Sequence, residues 1–121
     1  MSIESTSPLI IPAPFNKPLV DHRVYTIKPR LMPKFLDILD RLGMPVLIAT
    51  LGRPIGVYTS YVGELNQLIH FWGYDDLADY ERRGKARDTH PDFPAYLAAT
   101  VDIVIAQENR LIRTANLPSL K

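Results

Sequence analysis

The chain has no cysteine and almost no excess of charge of either sign. Without cysteine, its 121 residues cannot form a disulfide scaffold, a thiolate nucleophile or a cysteine-ligated zinc or iron–sulfur centre. Fourteen Lys and Arg residues face 13 Asp and Glu residues, for a net charge of +1. Nucleic-acid binders usually carry a basic excess, so we expect no nucleic-acid partner.

Long hydrophobic runs are also missing. The longest candidates, 9–11 and 46–49, are far shorter than the roughly 18–20 residues that a membrane-spanning helix needs. The beginning of the chain has no basic residue before Lys17, unlike a secretory or transit peptide. We therefore expect a cytoplasmic protein with no membrane partner, and the length fits one domain.

Proline, by contrast, is abundant, with 11 residues. Four of them lie among the first 18 residues, where their spacing excludes a helix or an internal strand. The sequence predicts a proline-rich arm over 1–19, followed by one folded domain over 20–121. We expect the arm to be either disordered or loosely packed, or else extended across a neighbouring subunit.

The pattern after residue 19 predicts alternating strands and helices. Gly43 and Pro45 are expected to end or kink the first helix, and Asp75 and Asp76 to cap the second, with Leu77, Ala78 and Tyr80 facing inward. The predicted elements are a strand over 20–28, a helix over 31–42 that 45–51 extends, strands over 55–61 and 66–74, helices over 77–88 and 94–100, and a strand over 103–113. This β-α-β-β-α-β order predicts a ferredoxin-like α+β fold: an antiparallel four-stranded sheet with helices on one face.

Both faces of this sheet are expected to be apolar. The third strand places Leu68, Trp72 and Tyr74 on one face and Ile69 and Phe71 on the other. The fourth strand is expected to carry apolar residues on both faces: Ile103, Ile105 and Leu111 on one, and Val104, Ala106 and Ile112 on the other. Helices cover only one face, so we predict a homodimer that joins the open sheet faces into an α+β barrel.

A small polar cluster on the third strand is the best candidate site. His70 and Trp72 share a face, and Asn66 joins them if the strand is regular from its first residue. Such groups can orient a planar substrate and move a proton. The alternatives are that Trp72 and His70 belong to the core and that Asn66 serves the turn. No histidine pair has metal-ligand spacing, so we expect no metal site. We expect no cofactor either.

Other side chains have competing interpretations. Glu108 is a candidate general base if buried, or else a solvated strand residue paired with Arg23 or Arg110. Three phenols are candidate ligand-binding groups, with an ordinary structural role in the strands as the alternative: Tyr25, Tyr58 and Tyr74. A basic cluster on the second helix is expected to be a solvated face, with phosphate or carboxylate binding as the alternative: Arg82, Arg83, Lys85 and Arg87.

The hairpin resembles the signature of the NIPSNAP family. That signature is a strand, a Gly-x-Leu-Asn turn (Gly63–Asn66) and a His-x-Trp-x-Tyr strand (His70–Tyr74). The segments 23–29, 77–78 and 107–111 resemble the family too, whereas Arg30 and Tyr80 depart from its usual residues. The resemblance implies a dimeric α+β barrel. It leaves activity open, because related barrels include enzymes of several kinds.

Three functions remain as hypotheses. The first is an uncharacterised NIPSNAP-like barrel protein that binds a small apolar or planar molecule between sheet and helices. The second is a cofactor-independent monooxygenase or isomerase, with His70 or Glu108 as the catalytic candidate. The third is a protein-interaction module that uses the N-terminal arm.

Overall fold

The structure is a computed structural model that describes residues 11–120. Its regular elements follow the predicted order: β1 (Leu19–Ile27), α1 (Met32–Ile38), a π-helical turn (Leu39–Gly43), α2 (Met44–Leu51), β2 (Gly56–Thr59), β3 (Gln67–Tyr74), α3 (Leu77–Asp88), α4 (Phe93–Thr100) and β4 (Val104–Arg113). A short 3₁₀ turn over Pro118–Leu120 follows.

The four strands form one sheet in the order β2-β3-β1-β4, and each neighbouring pair is antiparallel. The central strand β1 places Arg23 opposite His70 of β3 and Asn109 of β4. The helices cover one face, where Ile27, Leu68 and Trp72 are almost fully buried. The predicted ferredoxin-like α+β fold is therefore confirmed, while its assembly into a dimer stays a prediction.

The second face of the sheet is open in the single chain. Val24, Ile69 and Phe71 lie there and are only half-buried. The expected alternation of β3 is therefore correct, but that of β4 is wrong at its start. A register shift at Thr26 and Ile27 places Val104 opposite Ile27, against the helix-side core. The same irregularity leaves Ile105 56% exposed instead of buried beside Ile103.

The first helical segment does not end at Gly43. It continues without interruption from α1 through the π turn into α2, where the Met44 N–H donates to the Leu39 carbonyl five residues back. Pro45 has no N–H to donate, so a regular α-helical ladder would lack a bond there in any case. Gly43 faces α4: a Cβ atom on it would lie 2.7 Å from Cε1 of Tyr96.

Helix α3 begins at the predicted cap but buries a different residue. The Asp76 carboxylate accepts the Asp79 N–H at 2.8 Å, as an N-cap does. The expectation that Leu77 and Ala78 face inward is wrong, since both are exposed, whereas Asp79 is 2% exposed. The Asp79 carboxylate has enough partners to be buried: the Asp75 N–H and the side chains of Arg82 and Arg83. Tyr80 is partly buried, as expected.

The described part of the predicted arm packs on its own chain. Lys17 pairs with Asp75 at 2.8 Å, and its side chain covers Gly73 of β3 so closely that a Cβ there would lie 2.7 Å from Lys17 Cγ. The Phe15 N–H donates to the Pro12 carbonyl, which makes a turn. Residues 1–10 lie outside the described range, so an arm over 1–19 as a unit stays a prediction.

Candidate ligand site between the sheet and the helices

A cavity of about 180 Å³ lies between the helix-covered face of the sheet and helices α2 to α4. Apolar and aromatic side chains form most of its wall: Leu47, Leu51, Trp72, Phe93, Tyr96, Leu97 and Val104. Polar groups reach it from β1, β3, β4, α3 and α4: Arg23, Tyr25, His70, Arg87, Thr100 and Gln107. An apolar wall with a few converging polar groups is the usual composition of a small-molecule site.

His70 is the most unusual of these polar groups. It is 3% exposed, and its Nδ1 accepts the Trp72 Nε1–H at 2.7 Å. The two side chains meet because residues two apart in a strand share a face. The Tyr25 ring stands edge-on to the imidazole, with 4.6 Å between the ring centroids. His70 and Trp72 thus share a face, as the sequence predicts, and Tyr25 joins them from β1.

The second nitrogen of this imidazole has no partner. Within residues 11–120, Nε2 of His70 is the only buried side-chain nitrogen or oxygen without a hydrogen bond. Burial, assisted by the charges of Arg23 and His22, lowers the pKa of His70 to about 3, so the ring is neutral at pH 7. Because Nδ1 accepts a hydrogen bond, the single ring proton is on Nε2. His70, which lines the cavity, therefore carries an unused buried hydrogen-bond donor.

Arg23 reaches the cavity from the strand next to His70. Its Nη1 donates to Asp21 at 3.0 Å and its Nε to the Tyr25 hydroxyl at 3.3 Å. Asp21 is 1% exposed and also accepts a hydrogen bond from Asn109 at 3.1 Å. These bonds fix the guanidinium in one position and satisfy the buried carboxylate.

Arg87 and Thr100 are two further polar groups of the cavity. Arg87 lies over the Phe93 ring, 5.8 Å from its centroid, and donates to Asp88 at 2.9 Å. The Thr100 hydroxyl donates to the Tyr96 carbonyl at 3.0 Å. Burial raises the pKa of the Tyr96 phenol, which is therefore protonated at neutral pH.

The other sequence-predicted site residues lie outside this cavity. Asn66 precedes the first residue of β3 and has a left-handed φ of 63°. It therefore serves the turn, which is the alternative role that the sequence suggested. Tyr74 is buried near the far end of β3 and its ring contacts Tyr80. Tyr58 and Glu108 are exposed on the open sheet face, because they pair with Ile69 and Val24, which point there. Glu108 and His70 are thus on opposite faces.

Sequence reasoning did not single out Arg23, Arg87, Tyr96 or Gln107 as residues that share a cavity. A signal existed for Arg23, because it is two residues from Tyr25 and must share its face in a strand. Arg87 and Tyr96 come from helices far along the chain, and only the packed fold brings them to His70. The basic cluster divides accordingly: Arg87 lines the cavity, while Arg82 and Arg83 pair with Asp79.

Among residues 11–120, no three histidine or acidic side chains are grouped so as to hold a metal ion. In that same part of the chain, every helix is too short or too polar to span a membrane.

The antiparallel sheet, its one-sided helices and the cavity between the two layers define a ferredoxin-like α+β protein. The sequence profile of NIPSNAP matches residues 20–118, and the chain therefore belongs to the NIPSNAP family. No functionally curated protein matches the sequence significantly.

Solved structures of NIPSNAP proteins share this fold. A family protein of unknown function from Agrobacterium tumefaciens has 23% identity and a TM-score of 0.79 over 84% of this chain and 93% of its own. A second from that organism has 30% identity and a TM-score of 0.75 over 85% and 90%. An uncharacterized NIPSNAP-like domain protein from Burkholderia xenovorans has 28% identity and a TM-score of 0.77 over 81% and 85%.

Proposed function

We propose that this NIPSNAP protein binds one small, planar, largely apolar molecule in the cavity between sheet and helices. The observation that carries the proposal is the unpartnered Nε2–H of His70 on a buried, mostly apolar wall. A buried donor without an acceptor costs free energy, and a ligand oxygen at this position removes that cost. The function is therefore binding, with orientation set by His70 beside Trp72.

The size and the shape of the cavity support a ligand of one or two rings. An apolar cavity of roughly 150 Å³ is large enough for benzene, and this cavity has about 180 Å³. Flat side chains, Trp72, Phe93 and Tyr96, contribute to the wall, and aromatic faces favour stacking or edge contacts with a planar ligand.

The single tryptophan of the chain provides the test. Titration of the full chain with 1-naphthol should shift the one indole N–H resonance in a saturable way, because Trp72 donates to His70 beside the cavity. His70→Leu removes the free donor and should weaken binding, while His22→Leu, on the open sheet face, should not. Native mass spectrometry of the purified protein would show in addition any small molecule that it retains. An indole resonance that does not move at saturating naphthol would contradict the proposal.

We further propose that two chains join through their open sheet faces. Val24, Ile69 and Phe71 form an apolar centre there, and Tyr58 is 54% exposed at its edge. Burial of such a surface against a second copy removes apolar area from water on both chains.

Sedimentation of purified protein at micromolar concentration tests this assembly. We expect the mass of two chains, and Phe71→Arg should give the mass of one, because it places a charge at the centre of the joined faces. Val101→Arg is the matched control, since Val101 is 70% exposed beside α4 on the helix layer. A monomeric wild-type protein would refute the proposal.

The enzymatic alternative has less support than binding. A neutral imidazole whose pKa is held at about 3 is a weak base at pH 7. Glu108, the other catalytic candidate, is exposed on the opposite face of the sheet. The interaction-module alternative rests on the arm, whose described part contacts its own β3. The cytoplasmic location and the lack of a nucleic-acid partner stay predictions from the sequence.

A further inference from the structure

We propose that the ligand of this cavity is an acid whose anionic oxygen lies among Arg23, His70 and Arg87, such as the carboxylate of an aromatic or alicyclic acid. The inference rests on the proposed binding function and adds the charge of the ligand. It depends on which polar groups line the cavity and which do not.

The charged groups that line the cavity are all cationic. Arg23 and Arg87 contribute guanidinium groups, and no aspartate or glutamate is among the lining residues of the described chain. The carboxylates that pair with the two arginines, Asp21 and Asp88, lie outside the lining. Each ion pair therefore presents its positive end to the cavity.

Both arginines retain donors for a ligand. A guanidinium has five N–H groups. Among the described residues, the hydrogen bonds of Arg23 go to Asp21 and Tyr25, and that of Arg87 goes to Asp88. These bonds hold the two groups in position without using all of their N–H groups. Planar guanidinium groups suit carboxylates especially well.

His70 adds a neutral donor to the same space. Its Nε2–H is buried and unpartnered, and its orientation is fixed through the Trp72 bond to Nδ1. A single neutral donor would fit a carbonyl as well as a carboxylate. The two cations beside it favour the carboxylate, because hydrogen bonds to charged groups are stronger. The surrounding side chains Leu47, Phe93 and Tyr96 then hold the apolar body of the acid.

Three probes of nearly the same planar shape separate charge from shape: benzoate, benzamide and benzamidine. At neutral pH they are anionic, neutral and cationic. We expect benzoate to bind about tenfold more tightly than benzamide, because a charged acceptor strengthens each hydrogen bond. Benzamidine should not compete with benzoate. The shift of the single Trp72 indole N–H resonance reports all three titrations.

Substitution of Arg87 tests the assignment of the anion to these residues. Arg87→Gln should weaken benzoate binding about three- to fivefold, because this arginine is only partly buried, and should leave benzamide binding nearly unchanged. Arg41→Gln is the matched control: it removes an arginine that pairs with Asp37 on the exposed side of the first helical segment. Arg23 is unsuitable for this test, since its loss would leave Asp21 buried without its cation.

The possible outcomes distinguish the proposal of an anionic ligand from the proposal of small-molecule binding. Equal affinities for benzoate and benzamide, or binding of benzamidine, would overturn the anionic ligand and leave small-molecule binding intact. A preference for benzoate that Arg87→Gln does not change would overturn the assignment to this cavity. No shift of the indole resonance with any of the three probes, nor with 1-naphthol, would overturn the proposed function as well.

Discussion

At the scale of single residues, His70 is defined by what surrounds it more than by its own chemistry. An exposed histidine titrates near pH 6.5 and is a versatile acid or base. Burial and the neighbouring Arg23 remove that versatility and leave a neutral ring with one donor. His70 is therefore suited to hold a ligand oxygen and unsuited to take a proton from it at neutral pH.

The same depressed pKa predicts an acid-sensitive stability. Between about pH 6.5 and pH 3, unfolded chains bind a proton at His70 and folded chains do not, so the free energy of unfolding falls as the pH falls. The slope due to this residue is at most about 1.4 kcal/mol per pH unit. Urea denaturation at several pH values from 5 to 7 should show this slope, above the range where carboxylates titrate.

A pair of variants isolates the contribution of His70. His70→Gln keeps an acceptor for the Trp72 N–H but cannot gain a proton, so its stability should depend less on pH in this range. His90→Gln, which changes a histidine outside the cavity, should keep the wild-type slope. Equal slopes in the wild type and in His70→Gln would show that His70 is not the buried neutral group described above.

Sequence alone could predict part of this residue-level picture. The period of two along a strand places His70 and Trp72 on the same face, and the structure agrees. The role of Asn66 could not be decided from the sequence, because an asparagine at this position can begin a strand or close a turn. The two roles differ in backbone angle, and the structure gives Asn66 a left-handed φ of 63°. His70 and Arg87 line the same cavity only because of helix packing, for which no local sequence pattern exists.

At the scale of the elements, Gly43 sets the distance between the π turn and α4. Gly43→Ala would place a Cβ atom 2.7 Å from the Tyr96 ring and 3.0 Å from Leu39, inside a packed core. The strain of about 1–3 kcal/mol exceeds the helix-propensity gain of up to about 1 kcal/mol. We expect a lower free energy of unfolding and weaker naphthol binding, because Tyr96 lines the cavity.

Gly84→Ala in α3 is the control for this substitution. A Cβ atom there would have Arg87 Nη2 at 3.8 Å as its nearest neighbour, an ordinary contact. Only the propensity gain remains, so this variant should be slightly more stable than the wild type. If Gly43→Ala were stabilised to the same extent, the close contact with Tyr96 would not exist in solution.

The contribution of the buried Asp79 carboxylate to stability can be tested with a second pair of variants. Burial alone would raise the pKa of Asp79, but the Asp75 N–H, Arg83 and Arg82 lower it, so the ionised form is the one the fold stabilises. Asp79→Asn should cost about 2 kcal/mol in urea denaturation, since hydrogen bonds to a charge are lost. Asp37→Asn, which breaks an exposed pair with Arg41, should leave the stability nearly unchanged.

The order of the elements was predictable, and the inward face of α3 was not. Proline and glycine mark the ends of the strands and helices, and apolar periodicity separates the two types. The same periodicity favoured Leu77 and Ala78 as buried residues of α3. It failed because Asp79 has a backbone donor and two arginines as partners, and hydropathy contains no information about such partners.

At the scale of the whole molecule, the proposed dimer predicts a thermal midpoint that depends on protein concentration. If folding is coupled to association, a higher concentration favours the folded dimer by mass action and raises the midpoint. Scanning calorimetry over a wide concentration range should show this rise in the wild type. Phe71→Arg should make the midpoint independent of concentration, whereas Val101→Arg should retain the dependence. A constant wild-type midpoint would be incompatible with coupled folding and association.

The π turn over Leu39–Gly43 has a consequence for how chains of this family can differ in length. Each residue of an α-helix advances the chain by about 100°, so a one-residue deletion in α1 or α2 would rotate the following residues by about that angle. The π turn holds one residue more than an α turn, so a deletion within it would restore a regular α-helix and leave Leu47 and Leu51 in the cavity wall. A single-residue gap at this point would therefore mark a relative with the same cavity lining, whereas a gap elsewhere in the segment would mark a different one.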